Sequence, residues 1–455
     1  MTSVLQTLAA FAFALGVLVS VHEFGHFWVA RRLGVKILRF SLGFGKPIFL
    51  RRIGADGTEF AIAAIPLGGY VRMLDEREGP VAPDERVRAF NTQPLAVRTA
   101  IVLAGPLANF LFAFLAYWMM YLTGVSGPRP IIGEVMPASI ADQSGLRSGD
   151  EITAVDGRET RTWDNVFRSA IRAVLDKRTV ELTVHKPEGG QALLTLGFQG
   201  ITLDDVTQGD FFEKVGFKPY RPKIPPVLGR ILPGDPAARA GLLEGDRVLR
   251  VDGVPMDDWF HWVDYIVKHP EQAIAVVVER GGREVVVRVV PRLEVEKGVR
   301  RGRIGAELDR SAVPKETVPL GTERYTLFAA ASRGAEAVAD TTVTTLKFLG
   351  RMLTREASLQ NLSGPISIAQ IAGQSAQLGP SRFLEFLGLV SVSLAVLNLL
   401  PIPMLDGGHL LYYLIEFIMR RPMSETIQVY GQQVGMVLLL GLMGLAMYFD
   451  ILRIL

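Results

Sequence analysis

The chain has 455 residues, 49% of them hydrophobic, a formal net charge of +3 and no cysteine. It is too long for one ordinary domain and too apolar for a typical soluble protein. No Lys/Arg tract interleaves with aromatic residues, which argues against a nucleic-acid partner, and any metal site must be built from His and carboxylates.

A helix rises about 1.5 Å per residue, so roughly 20 apolar residues cross a bilayer. Residues 4–30 meet that length, yet the run carries His22, Glu23 and His26. It lacks the basic start of a signal peptide, and the charged trio sits where the apolar stretch should be. After it come 12 Lys/Arg between Arg31 and Arg98. Within this loop, Ser41-Leu42-Gly43-Phe44-Gly45 opens a segment with strand-like runs at 46–52 and 58–66 around the turn 54–57. On its pattern alone this is an amphipathic β-hairpin.

Residues 99–125 form a second span, 383–400 a third, and 434–449, extended by 429–433, a fourth. The loop between spans three and four carries Arg420 and Arg421. Positive-inside logic places both short loops in the cytoplasm. Both termini and the long middle region, 126 to about 379, then lie outside.

The middle region contains a repeat. Residues 133–163 and 229–259 align without a gap, matching Gly145 with Gly241, Asp150 with Asp246, Asp156 with Asp252 and Trp163 with Trp259. Each copy predicts a strand, a short helix, a Gly-Asp turn, a strand, a longer helix and alternating strands. The pattern A-x-x-x-G-L-x-x-G-D-x-[IV]-x-x-V-D-G resembles PDZ domains, which bind extended C-terminal peptides by strand addition. A pair of spacers that bind no peptide is the plainer alternative. Residues 323–353 read as a helix with an apolar face (Leu327, Val338, Leu346, Phe348), resting on the outer membrane surface or on the repeat.

His22-Glu23-Phe24-Gly25-His26 is H-E-x-x-H, whose two imidazoles share one helical face and can grip one metal. Ionisable groups inside a span are costly and point to function, though a structural or proton-relay pair is the bland reading. A catalytic zinc site wants three protein ligands and an open position. Asp406 and His409, in N-L-L-P-I-P-M-L-D-G-G-H, are both candidates for the third. Pro401 and Pro403 end or kink the preceding helix, so Asp406 sits on irregular backbone or caps the next helix. Both motifs approach the cytoplasmic side, since His22 is roughly 13 Å along the helix from Arg31.

H-E-x-x-H in a first span, L-D-G after a late span and PDZ-like domains between them resemble the site-2 protease family of intramembrane metalloproteases. The likeness covers essentially the whole chain, including N-L-S-G-P-I at 361–366. It implies a Zn2+ cofactor held by His22, His26 and Asp406, with Glu23 as general base and His409 in a supporting role. It implies that Asn398, with Pro401 and Pro403 beside it, and the Gly43-x-Gly45 element handle the substrate. The β segment becomes a membrane re-entrant hairpin on which a substrate helix is unwound into a strand.

The expected fold is therefore a multi-pass α-helical membrane protein with four transmembrane helices, a membrane-associated β-hairpin and two tandem PDZ-like α/β domains. Its expected parts are 1–125 (two spans and the β segment), 126–220 and 221–310 (the PDZ-like domains), 311–380 (a helical connector) and 381–455 (the last two spans). The family implies an endopeptidase of the bacterial inner membrane that cuts single-span proteins, such as trimmed anti-sigma factors and remnant signal peptides. Its PDZ pair, exposed to the periplasm, would filter access. The rival class is a membrane receptor or scaffold whose PDZ domains hold C-terminal peptides beside a structural zinc. A bilayer-anchored protease acting on soluble peptides is a third reading.

Overall fold

The computed structural model describes residues 4–198, 200–202, 205–206, 210–296, 299–313, 318–354, 364–421 and 423–454. Residues 361–363 of the N-L-S-G-P-I run lie outside these. Helix α1 (Val4–Arg32) leads into strands β1 (Ile37–Ile53) and β2 (Thr58–Met73), then α2 (Leu95–Thr123). The strands β3 (Val125–Pro128) and β4 (Ile132–Val135), helix α3 (Ile140–Gln143), β5 (Glu151–Val155), β6 (Arg158–Glu159), α4 (Trp163–Leu175), β7 (Val180–His185) and β8 (Gln191–Leu196) follow. After α5 (Phe211–Val215) and β9 (Phe217–Pro219) the order recurs: β10 (Leu228–Ile231), α6 (Pro236–Ala240), β11 (Arg247–Val251), β12 (Val254–Pro255), α7 (Trp259–Lys268), β13 (Ile274–Arg280) and β14 (Arg283–Val289). Short strands β15 (Arg292–Glu296), β16 (Val299–Arg303), β17 (Ala306–Leu308) and then β18 (Leu320–Glu323) lead to helices α8 (Leu327–Leu353), α9 (Pro365–Gln377), α10 (Pro380–Leu399), α11 (Asp406–Met419) and α12 (Glu425–Ile454). Of these, α1, α2, α10 and α12 are long and apolar enough to cross a membrane, matching the four expected spans.

The β segment is more than the hairpin read from sequence. Residues 39–42 pair with 59–62 on one side and with 69–72 on the other, while 47–53 pair with 58–63. Each strand is therefore bent into two legs, and the legs lie in the order 47–53, 58–63, 37–42, 69–73. β1 bends at Gly43 and Gly45, with φ of 90° and 89°, and β2 at Gly68, with φ of 128°. A Cβ at Gly43 would stand 2.6 Å from the Ile65 carbonyl oxygen, so both φ and space demand glycine there. One face of the sheet packs on α1 through Phe40, Phe60 and Phe27. Phe44, Ile48, Phe49, Ile62 and Ile65 remain exposed.

The two repeats build equivalent sheets, ordered β6-β5-β7-β8 and β12-β11-β13-β14. The matched residues explain themselves. Asp150 and Asp246 are buried, and each accepts the backbone N–H three residues before it at 2.9 Å. Each also meets a cation, Lys186 at 2.8 Å and Arg280 at 2.7 Å, which offsets burial of the charge. Asp156 and Asp252 turn with positive φ and accept from Glu181 N and Ala275 N. The first repeat is tied to the spans by Arg168 on α4, which donates to Glu385 on α10 at 2.9 Å. Burial works against the Arg168 charge, but Tyr121, Glu385 and Glu323 around it raise its pKa above the ordinary guanidinium value.

The connector begins with β18, and its helix starts only at Leu327. α8 then packs against both the spans and the first repeat. Gly334 meets the Trp118 backbone on α2, Trp118 Nε1 donates to the Leu327 carbonyl at 3.0 Å, and Phe348 and Met352 cover Leu175 of α4.

Candidate active site

The 3.6-residue period of α1 stacks His22 and His26 on one face, with Nε2 atoms 3.2 Å apart. The next contributor arrives from far along the chain. α10 ends at Leu399, the Pro401–Pro403 segment turns the backbone, and Met404 takes a positive φ of 84°. Asp406 then opens α11, and its Oδ2 lies 3.2 Å from His22 Nε2 and 3.6 Å from His26 Nε2. The two glycines after it are sterically required. A Cβ at Gly407 would lie 2.1 Å from the Leu400 carbonyl oxygen, and one at Gly408 2.5 Å from that of Ile402. Arg98 of α2 grips Glu416 with two bonds, at 2.6 and 3.2 Å, and anchors α11 against α2.

The three side chains could hold a metal ion: their ligand atoms lie within 4.8 Å of one another, the one such group among the described residues. Two observations fit a metal. Asp406 Oδ2 is buried without a hydrogen-bond partner, and two neutral imidazoles with one carboxylate suit zinc. A Cβ at Gly105 of α2 would lie 2.2 Å from His26 Nε2 and 2.8 Å from His22 Cε1, so α2 offers a bare backbone as the bed for both rings. His26 Nδ1 is 2.8 Å from the Ile101 carbonyl oxygen, which keeps the proton on Nδ1 and the Nε2 lone pair free.

Glu23, on the same turn as His22, faces the last leg of the sheet. A Cβ at Gly69 would come 3.2 Å from Glu23 Cγ. Gly43 and Gly45 shape the bend beside this leg. Asn398 is half-buried in the last turn of α10 and makes no side-chain hydrogen bond among the described residues. Pro401 is exposed, whereas Pro403 packs under Gly435 of α12. His409 stands outside the trio, its ring edge-on to Tyr412. Sequence reasoning missed Gly105, Gly69 and Asn109. Their only signal was a small or polar residue in an apolar or strand-like run.

Comparison with known proteins bears directly on this geometry. The model of peptidase family M50 matches residues 10–442. The chain belongs to that family. Over the full length of both chains it is 43% identical to the regulator of sigma-E protease RseP of Salmonella typhimurium and 42% to that of Escherichia coli. It is 43% identical to protease RseP of Yersinia pestis, again across both chains. As an M50 peptidase it is an intramembrane zinc protease of the site-2 type, a membrane enzyme rather than a receptor.

Proposed function

We propose that this peptidase cuts single-span membrane proteins at the His22–His26–Asp406 centre, with Glu23 as its general base. The convergence of both Nε2 atoms on Asp406 Oδ2 carries the reading. Zinc bound there supplies Lewis acidity, polarising a carbonyl and acidifying water. Glu23 takes the proton of the attacking water as its oxygen adds to the scissile carbonyl carbon. It returns that proton to the leaving nitrogen as the C–N bond breaks. The half-buried Asn398 amide is free to hold the substrate or the developing oxyanion.

A transmembrane substrate hides its amides in helical hydrogen bonds. Among the described residues the 69–73 leg pairs on one side only, so its other edge is available to receive an extended peptide next to Glu23. Gly43, Gly45 and Gly68 set that edge by bending the sheet. The exposed apolar side chains Phe44, Ile48, Phe49, Ile62 and Ile65 suit a sheet that dips into lipid. The two repeats are read as PDZ domains on the periplasmic side of the inner membrane, filtering substrates by size. Pro401 and Pro403 shape the floor of the substrate path. The named role of the relatives, regulation of sigma-E, makes anti-sigma-factor-like proteins the first substrates to try, with remnant signal peptides next.

The ligand set is tested by zinc analysis of purified variants. His22→Ala, His26→Ala and Asp406→Asn are each expected to lose most of the bound zinc, while His409→Ala keeps it. Zinc retained by Asp406→Asn but lost by His409→Ala would move the third ligand to His409.

A further inference from the structure

α2 supports the two imidazoles in different ways. Behind His26 stands the Ile101 carbonyl, which can only accept and so dictates the tautomer. Behind His22, two helical turns further along the same face, stands the side chain of Asn109, its Nδ2 3.3 Å from His22 Nδ1. Asn109 is completely buried, and its backbone carbonyl accepts from Ser391 Oγ of α10 at 2.8 Å, which fixes the residue between two spans. Its Oδ1 is buried without a partner.

An amide presents either end to a neighbour with almost no change of shape. If Nδ2 donates to His22 Nδ1, the imidazole proton is forced onto Nε2. That proton would point into the cluster formed with His26 Nε2 and Asp406 Oδ2, where a ligand needs its lone pair. If the amide is turned by half a rotation, Oδ1 faces Nδ1. The orphan oxygen then accepts from Nδ1–H, and His22 Nε2 is free. Only the second arrangement leaves the His22 Nε2 lone pair to the metal centre; the amide nitrogen then takes the buried place that the oxygen leaves.

We propose that Asn109 is a positioning residue that accepts from His22 Nδ1–H and thereby holds the tautomer that presents Nε2 to zinc. Outer partners of this kind typically change metal affinity by about 10- to 100-fold when removed. The inference rests on His22 being a ligand, and the test separates the two claims.

Zinc affinity of the full-length protein in detergent would be measured against a competing chromophoric chelator for wild type, Asn109→Leu, Asn109→Asp and His22→Ala. Asn109→Leu is expected to bind about 10- to 100-fold more weakly, with the melting temperature of the chelator-treated protein unchanged. Asn109→Asp, whose carboxylate accepts but cannot donate when ionised, is expected to bind at least as tightly as wild type. Wild-type affinity in Asn109→Leu, with loss in His22→Ala, overturns the role of Asn109 alone. Wild-type affinity in His22→Ala overturns the ligand reading beneath it. If Asn109→Leu fails to fold, Asn109→Asp decides: binding tenfold weaker than wild type means that the residue donates, which contradicts the proposal.

Discussion

Gly69 packs directly on Glu23: a Cβ at position 69 would stand 3.2 Å from Glu23 Cγ and 2.8 Å from the Ser41 carbonyl oxygen. No side chain larger than glycine fits between the sheet edge and Glu23, which sets their spacing. Gly69→Val must push the leg away from Glu23 without touching the metal ligands. Its cleavage rate is expected to fall by about 10- to 100-fold, the scale of a misplacement near 1 Å. Zinc content should stay at the wild-type level. Parallel cleavage and metal assays check this, and wild-type cleavage would show that the contact is unimportant.

Gly105→Ala tests the bed under the imidazoles. The added methyl would lie 2.2 Å from His26 Nε2, inside any tolerable contact. Helix propensity favours the change by about 1 kcal/mol, while the crowded rings oppose it by about 1–3 kcal/mol, so the metal-stripped protein should melt at or slightly below wild type. Zinc binding should nevertheless weaken by at least about tenfold, the same order as loss of an outer partner. A variant that binds zinc as tightly as wild type would contradict this.

Glu59 lies between two arginines, Arg39 Nε and Arg52 Nη2 both at 2.9 Å, and their hydrogen bonds depress its pKa. Because the folded value is below the unfolded one, near 4.3, the contribution is present above that pH. It is lost as pH falls through the depressed value. The chain has no cysteine, so a single spin label at Ala55→Cys reports on the adjoining turn cleanly. Label mobility should rise as pH drops from 6 toward 3, and Glu59→Gln should show that mobility already at pH 6. A pH-independent spectrum would remove Glu59 as the clamp.

Much of this architecture was legible because it follows from local rules. Four spans follow from length and hydropathy, and the repeat follows from paired glycines and aspartates whose turns impose them. The trio's histidines follow from one helical period, but Asp406 is 380 residues beyond His26, and residue spacing alone favoured it only modestly over His409. The structure separates them because Gly407 and Gly408 let the chain coil tightly enough to point Asp406 at the histidines. The doubled-back sheet was not legible. Residues 38–44 alternate as a strand should, but 69–73 do not, and nothing local shows that 39–42 pair on both sides through bends at Gly43, Gly45 and Gly68. Gly105 and Asn109 were invisible for a related reason: in an apolar helix a small residue signals close packing and a lone amide signals a helix contact, not what is packed or contacted.

Asp450, buried in α12, ties the last span to α9. Its carboxylate accepts from Gly364 N at 3.1 Å, Ile366 N at 2.9 Å, Ser367 N at 3.0 Å and Ser367 Oγ at 2.5 Å. It thus satisfies the open N-terminus of α9. Asp450→Ala leaves buried donors unpaired and is expected to destabilise the protein by about 2 kcal/mol. Asp450→Asn keeps one oxygen acceptor and should cost less. Thermal melting in detergent ranks the three, and equal melting temperatures would show that the cap is dispensable.

In the proposed mechanism Glu23 does chemistry at a zinc centre that it does not help to hold. Wild type and Glu23→Gln should be purified in detergent and measured side by side for zinc content and for cleavage of a single-span, anti-sigma-factor-like substrate. Equal zinc in both and cleavage by wild type alone are expected, with the wild-type activity lost on chelation and restored by zinc. Equal zinc with equal cleavage would contradict it, because the base would then lie elsewhere.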